Sequence, residues 1–600
     1  MVKTTGNELR GIVASPGIAT GRAFVYVKPR IPHADNRTED PAREIRRLKA
    51  AVAESVGDLQ RLTRRMQERG EDAFVHILRA QQTIAEDESV FDEVATLVRE
   101  DWLPAEAAVG RVFEQYTEMF NQLRDRDYNK ARSADVMDVY KRIVGKLLGL
   151  TDTELIGLDS GTIVVAEDLL PSDTAMMDFS RVAALVTERG GVTGHVAIIA
   201  NTYGIPAAVG VAGVTTHASS GDRMVVDASC GEEALVLVNP DAESERHVAV
   251  RRRRLEHHAR DLQQYRGMDP ITRDGHRIIL SANVGSTAEL EPARVQGAGS
   301  VGLYRTEFLF LKAPVLPDED AQYEAYRAAA EAFPGSFVIV RTLDVGGDKR
   351  IPGISMEQED NPFLGNRALR LCLARPDLFR TQLRAILRAA VHGDVRIMFP
   401  MVGGVPELEE ALDVLARTGA ELQAEGIECR VDLPVGAMIE VPAAVWVAGE
   451  LARRVSFLSI GTNDLTQYLT ATDRINSAVW EYHRIFDPSL FRAMEMVVAG
   501  AHANGAWVGV CGELGGNPLA IPLLIGLGVD ELSMSPRAIA EATWLLRTGT
   551  YREMQALAEE VLKQDDHRAI RSLLEQFLEK HYTGSGEGRD PQRPCESDDA

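Results

Sequence analysis

The sequence predicts a multidomain α/β protein, in which an α/β domain is interrupted by an inserted helical bundle and followed by a C-terminal (β/α)8 TIM barrel. Three observations lead there. The chain has 600 residues, and single cores stop growing at roughly 250 to 300 residues, so three or four domains are expected. Between Ile45 and Met66 apolar residues recur at threes and fours, the period of a helix that presents one stripe to a partner. From Ile278 to Met534 eight strand-like runs alternate with helical patterns, as in a (β/α)8 barrel.

Residues 9–28 read as two short strands around the turn Ser15-Pro16-Gly17. The stripe Ile45, Leu48, Val52, Val56, Leu59, Leu62 and Met66 opens a long helical stretch that runs to about Leu150, with breaks at Gly70, Asp87 and Pro104. Strand signals resume at Thr162–Ala166, Ala183–Thr187 and Leu235–Val238. Residues 34–149 are therefore an insertion into an α/β domain made of 1–33 and 150–239. A helical linker follows at 240–269; its run Arg251-Arg252-Arg253-Arg254 reads as a solvated helix rather than a phosphate-binding patch. The barrel, 270–582, takes its strands from Ile278–Ser281, Val301–Tyr304, Val338–Arg341, Val395–Phe399, Val435–Ile439, Phe457–Ile460, Trp507–Val510 and Glu531–Met534. The tail 583–600, rich in Gly, Ser, Asp and Arg, is expected to be disordered.

With 45% hydrophobic and 26% charged residues, the composition is that of an ordinary soluble protein. A net charge of -23 argues against a general nucleic-acid binder, which would carry a basic surface, and suits a partner that is basic. The five cysteines (Cys230, Cys372, Cys429, Cys511, Cys595) are odd in number and show no CxxC spacing. Neither a disulfide framework nor a zinc site is indicated, and a reducing cytoplasm fits. Residues 1–8 lack the apolar core of a signal peptide, and no uncharged apolar run reaches the roughly 18 residues that span a bilayer. No membrane role is expected.

Chemistry concentrates in two places. In Gly190-Gly191-Val192-Thr193-Gly194-His195 one histidine follows two glycines and opens a helix-like apolar stretch. Paired glycines let the backbone approach a ligand, and a helix N-terminus favours anions. An imidazole there can receive a phosphoryl group, although a histidine beside a glycine turn can equally be structural. The second place is the end of the barrel strands, where catalytic groups of such barrels sit. It carries Arg305-Thr306-Glu307, Arg341-Thr342-Leu343-Asp344, Glu440-Val441-Pro442, Gly461-Thr462-Asn463-Asp464 with Arg474 downstream, and Cys511-Gly512-Glu513. Any one of these could be a structural ion pair. Jointly, three arginines make a site for a small ligand with several negative charges. Glu440 and Asp464 supply two hard oxygens for a divalent metal that keeps open positions, which suits Mg2+. Cys511 is either an inert buried thiol or a donor of a proton to carbon.

With these residues assembled, the chain resembles enzyme I of the bacterial sugar phosphotransferase system, the phosphoenolpyruvate-protein phosphotransferases, from about residue 9 to 582. The matching motifs include Ser15-Pro16-Gly17-Ile18-Ala19, Gly302-Leu303-Tyr304-Arg305-Thr306-Glu307, Gly346-Gly347-Asp348-Lys349, Asn361-Pro362-Phe363-Leu364-Gly365, Ile460-Gly461-Thr462-Asn463-Asp464 and Cys511-Gly512-Glu513-Leu514. The resemblance implies that His195 takes the phosphoryl group of phosphoenolpyruvate and passes it to a histidine of the phosphocarrier protein HPr. It implies that Arg305, Arg341 and Arg474 hold phosphoenolpyruvate, with Asn463 and Asp464 completing the phosphate pocket. Glu440 and Asp464 match the Mg2+ ligands, and Cys511 matches the general acid that protonates the enolate to pyruvate. Lys349 and Arg367 lie in matching motifs. It further implies a swivelling phosphohistidine domain with hinges near residues 240–270, a homodimer through the barrel, and a role at the head of sugar uptake or of a related regulatory relay.

The chain departs from that family at Gly194, Val192 and Val196 around the histidine, at Gln81 where a histidine is common in the carrier-docking region, and at Asn366 where an aromatic is usual. A hydroxyl lost beside His195 removes a partner for the imidazole or the phosphate. Two other functions compete: a regulatory protein that senses phosphoenolpyruvate without turning it over, and a dikinase- or synthase-like enzyme. The latter needs an ATP-binding domain, whereas residues 33–149 read as helical without a glycine-rich nucleotide loop.

Overall fold

The computed structural model describes residues 8–26, 37–68, 72–122, 126–149, 155, 158–169, 173–174, 177–191, 195–229, 233–311, 315–347, 359–474, 476, 479 and 482–582. Val192, Gly194, Cys230, Lys349, Cys595 and the tail 583–600 lie outside the described residues. The described chain falls into two compact units that divide between Arg253 and Arg254.

The first unit begins with β1 (Glu8–Ser15) and β2 (Gly17–Tyr26). Gly17 makes the turn between them at φ 139°, where a side chain would also meet the Pro206 ring at 2.8 Å. With β3 (Thr162–Ala166), β4 (Val182–Thr187), β5 (Ala207–Val209), β6 (Arg223–Ala228) and β7 (Glu233–Val238), they close a barrel in the order β1-β5-β4-β3-β2-β6-β7. β2, β3, β4 and β5 pair in parallel, while β1 runs antiparallel to both β5 and β7, its partners extending from Glu8↔Leu237 to Ile12↔Glu233.

A parallel β2–β3 pair needs a crossover, and the helical stretch supplies it as α1 (Pro41–Glu68), α2 (Asp72–Ala85), α3 (Glu88–Glu100), α4 (Ala105–Gln122) and α5 (Arg126–Leu147). Asp87 and Pro104 fall between helices, as the spacing predicts; Gly70 lies outside the described residues. The Asp40 carboxylate caps α1 by accepting the Arg43 N–H at 2.9 Å, and Leu48, Leu59 and Leu62 of its stripe are buried. Every residue of β3 is buried, because alternate side chains of a strand point to opposite faces and here both faces are covered. Val164 and Ala166 join Leu185 of β4 in a core shared with α1–α5, whereas Ile163 and Val165 join Ala184 and Val186 in the barrel interior.

Among the described residues three further helices belong to this part of the chain: α6 (His195–Tyr203), α7 (Val214–His217) and α8 (Ala242–Leu262). On α8, Arg251 pairs at 2.7 Å with the buried Asp227, and Arg252 donates to the Thr20 hydroxyl at 3.1 Å. Arg253 and Arg254 are exposed, as in a solvated helix.

The second unit is an eight-stranded parallel barrel of β8 (Ile279–Val284), β9 (Ser300–Arg305), β10 (Phe337–Arg341), β11 (Asp394–Phe399), β12 (Val435–Ile439), β13 (Phe457–Ile460), β14 (Trp507–Val510) and β15 (Glu531–Met534), closed by β15 pairing with β8. A TIM barrel is thus the fold of the C-terminal half. Its outer core packs helices on the strands, and a separate cluster of Leu303, Phe337, Ile339, Met398, Met438, Phe457 and Cys511 forms an inner core. Among the described residues no helix is long and apolar enough to cross a membrane.

Candidate active site

The parallel strands all end on one side of the barrel, and that mouth gathers the polar residues read from the sequence. Arg305 and Arg341 close β9 and β10, Glu440 follows β12, Asp464 lies in the helix Thr462–Leu469 after β13, and Cys511 follows β14. Arg341 is only 6% exposed. Its guanidinium donates to Glu307 at 2.7 Å and lies 3.1 Å from Asp344. Behind it, its own carbonyl accepts the Thr306 hydroxyl at 2.9 Å, and that hydroxyl accepts the Gln382 amide at 3.2 Å. Arg341 is therefore locked in place before any ligand arrives, and two carboxylates already balance its charge. Arg305, by contrast, makes no ion pair among the described residues, and Arg474 lies 3.8 Å from Asp464.

Arg367 is the most deeply buried cation of the mouth, at 1% exposure. It donates to both Asp464 oxygens at 3.1 Å and to Asp344 at 3.1 Å. Its charged form is strongly favoured despite burial because those carboxylates face it. Tyr468 accepts from Arg367 at 3.4 Å and donates to the Phe363 carbonyl, which ties the Asn361–Gly365 segment to the site. The Asn463 side-chain oxygen accepts the Glu513 N–H at 3.3 Å.

Glu440 is 2% exposed and accepts the Met401 N–H at 2.7 Å. Burial pushes its carboxyl up to about 8, with Asp464 and Asp344 adding and Arg341 and Arg367 opposing. Carboxylates crowded in this way are stabilised by a cation, so Glu440 and Asp464 fit a divalent metal. Among the described residues no group of three or more His, Cys, Asp or Glu side chains is arranged to hold a metal. The remaining positions would fall to substrate and water, as Mg2+ accepts. Burial likewise pushes the Cys511 thiol up to about 12, against the Ser459 hydroxyl that bonds it; the thiol points to the Ile460 carbonyl at 3.7 Å.

His195 belongs to the first unit, where it is the first residue of α6. The glycine turn ahead of it starts at Gly190, φ 113°, held by the Thr187 hydroxyl donating to the Arg189 carbonyl at 2.6 Å. Asn201 ties α6 to β1 through the Ala14 carbonyl at 2.7 Å. Gln81, read as part of a docking surface, is buried instead, with its amide on Asp138 at 3.0 Å. That departure changes the interior of the bundle, not its outside. Sequence reasoning placed Glu307 and Asp344 at the strand ends without giving them a role, and did not single out Gln382 or Tyr468; the signal for the two acids was their position two and three residues after arginine-ended strands.

Three family models match in succession: the N-terminal domain of phosphoenolpyruvate-utilising enzymes over residues 10–132, their mobile domain over 158–231, and their phosphoenolpyruvate-binding domain over 259–550. Proteins named phosphoenolpyruvate-protein phosphotransferase match along nearly the whole chain. That of Enterococcus faecalis strain V583 is 38% identical over 95% of this chain and 99% of its own. The Listeria monocytogenes protein gives 38% with the same coverages, and that of Staphylococcus carnosus 36%, also over 95% and 99%. An arginine-lined barrel mouth, a histidine-led helix and full-length relatives agree: the chain belongs to the phosphoenolpyruvate-protein phosphotransferase family of transferases.

Proposed function

We propose that the protein transfers the phosphoryl group of phosphoenolpyruvate to its own His195 and then to a histidine of HPr, releasing pyruvate, as the first step of sugar uptake or of a related regulatory relay. The observation that carries this reading is the convergence of Arg305, Arg341, Arg367 and Arg474 with the buried Cys511 thiol on one barrel mouth. Phosphoryl transfer runs in line through a spread negative charge, so catalysis is mostly positioning plus cations. Arg305 and Arg474 are available to the phosphate and carboxylate oxygens of the substrate, with Asn463 and Asp464 completing the phosphate pocket. Arg341, fixed by Glu307 and Asp344, presents its remaining N–H without reorganisation. Mg2+ held by Glu440 and Asp464 would neutralise charge developing on the phosphate oxygens.

Cys511 stays protonated at neutral pH and gives that proton to C3 of the enolate. The S–H bond breaks, a C–H bond forms, and pyruvate leaves a thiolate behind. His195 accepts as the neutral imidazole, which is abundant near neutral pH, at a helix start that favours the incoming anion. Because the acceptor and the mouth belong to different units, the reading requires the phosphohistidine domain to swivel, with hinges near residues 240–270. A homodimer through the barrel and a cytoplasmic location complete the reading.

The test is incubation of the protein with radiolabelled phosphoenolpyruvate and Mg2+, comparing wild type with His195→Ala. Acid-labile label on wild type alone, transferable to added HPr, is the expected result. Label retained on His195→Ala, or none on wild type, sinks the reading.

A further inference from the structure

The arginine run on α8 divides between two tasks. Arg251 is held by Asp227, whereas Arg252 lines a cleft of about 1080 Å³ that lies wholly within the first unit. One wall of the cleft is α8, through Glu245, Val248, Ala249 and Arg252, whose spacing of threes and fours is that of a single helical stripe. The other wall is the sheet. On β2, Ala19 and Ala23 belong to the barrel interior, so Thr20, Arg22 and Phe24 point to the opposite face, where they line the cleft. None of the lining comes from the barrel mouth or from the helix that His195 opens.

The strand register makes this cleft basic. Arg22 on β2 is the ladder partner of Arg223 on β6, and like charges directly opposite one another destabilise a sheet. Arg223 is balanced by Glu245 at 2.9 Å. Arg22 makes no ion pair among the described residues; it is exposed, and its guanidinium donates to the Gly221 carbonyl at 2.9 Å. That bond holds the side chain in place and leaves other N–H groups of the fork open. Arg252 donates to the Thr20 hydroxyl at 3.1 Å, so it reaches the same strand face as Arg22, one step of about 7 Å along β2. Among the described residues of the lining, Asp159 and Glu245 are the acids against these three arginines, a positive excess in a chain of net charge -23.

The floor is apolar. Leu158, Met224, Val225 and Val248 line the cleft and are buried, while Arg22 and Arg252 stand exposed above them. An apolar floor with a few placed polar groups is the make-up of a small-ligand site. A wall with only a structural task gains nothing from a second arginine opposite the first, whereas an anion bound beside them turns repulsion into attraction.

We propose that this cleft binds a small organic dianion with an apolar body, its oxygens on Arg22 and Arg252 and its body against Leu158, Met224 and Val248. A guanidinium fork matches phosphate and carboxylate oxygens alike, so a phosphomonoester and a dicarboxylate share the required chemistry. The bound ligand bridges β2 and α8 and holds the first turns of α8 on the sheet.

The experiment is hydrogen exchange of the full chain, read by mass spectrometry over residues 242–252, in titrations with phenyl phosphate, phthalate or benzoate at constant ionic strength. Exchange of that segment is expected to slow with a dianion and not with benzoate, which carries one charge; slowing by phenyl phosphate alone assigns a phosphomonoester, and by phthalate alone a dicarboxylate. Arg22→Ala and Arg252→Ala are each expected to raise the half-effect concentration about tenfold, the loss of one charge-assisted contact. Arg305→Ala, which weakens the barrel mouth, is expected to leave it unchanged. No slowing by either dianion at millimolar concentration overturns the proposal, as does equal slowing by benzoate, a half-effect concentration unchanged in both cleft variants, or slowing lost in Arg305→Ala. If Arg22→Ala fails to fold by circular dichroism, Arg252→Ala decides alone.

Discussion

Glu440→Gln asks whether the mouth holds a protonated carboxyl. Burial, with Asp464 and Asp344 nearby, raises the Glu440 carboxyl from 4.5 to about 8. A carboxyl with a higher pKa folded than unfolded binds more protons in the native state, so stability falls as pH rises between the two values. At about 1.4 kcal/mol per pH unit, that window costs the wild-type barrel on the order of 5 kcal/mol. Glutamine still accepts the Met401 N–H and does not ionise. The variant is expected to match wild type near the lower end of the window and to exceed it by a few kcal/mol near the upper end. Glu531, raised to about 8 as well, adds a second loss of the same sign to both proteins, so the variant keeps a slope of about half. The assay is urea unfolding followed by tryptophan fluorescence, in EDTA, across this pH range. Parallel curves for the two proteins would refute the reasoning, because they would mean that Arg341 and Arg367 outweigh burial and keep Glu440 ionised.

Removing the Arg367 cation with Arg367→Met leaves buried Asp344 to Arg341 and Asp464 to Arg474, at a cost of about 3–5 kcal/mol, and a second change, Asp344→Asn, is expected to return part of it in the same unfolding assay. Arg305→Ala, which breaks no ion pair, is expected to leave the melting temperature within a degree or so while weakening phosphoenolpyruvate binding by calorimetry at least about tenfold, the loss of a charge-assisted contact. Gly526→Ala drives a methyl into the Met554 carbonyl of the neighbouring helix, backbone that does not yield, and about 3 kcal/mol of stability goes with it. Asp274 works with the opposite sign from Glu440. Slight burial opposes ionisation, but the Thr272 hydroxyl and the N–H groups of Tyr551 and Arg552 lower its carboxyl from 3.8 to about 2, so its contribution is present above 3.8 and lost as pH falls toward 2, and Asp274→Asn is expected to flatten that acid limb of the unfolding curve.

The barrel was legible because its strands are short apolar runs between glycines and charged helices. Val435–Ile439, Phe457–Ile460, Trp507–Val510 and Glu531–Met534 have the same bounds in sequence and structure. β8 reads shorter in the sequence, ending at Ser281, because Asn283 interrupts its apolar run; in the fold that amide points inward and bonds the Cys511 carbonyl at 3.1 Å. Arginines at strand ends were legible from position alone. Their counter-ions were not, since Arg341 meets Glu307 across the β9–β10 pair and Arg367 meets Asp464 from segments 97 residues apart. Gln81 shows a limit of helical periodicity: a polar residue on the stripe reads as surface unless its partner, here Asp138 on α5, is known. Glu531 reads as a polar strand boundary for the same reason, because the glycines that make room for it stand on two other strands.

The pairing of β1 with β7 sets a timetable for synthesis. β1 leaves the ribosome first, yet its partners Glu233 to Leu237 come last in that barrel. At about 5–20 residues per second, the first strand waits some tens of seconds with its edge unpaired. α1 to α5, whose contacts are mostly between neighbours in sequence, form during that interval, but the core they share with β3 and β4 stays open until those strands are docked. A nascent chain stalled before residue 162 therefore exposes both an unpaired strand edge and an apolar helix face, the two features that recruit chaperones and promote aggregation.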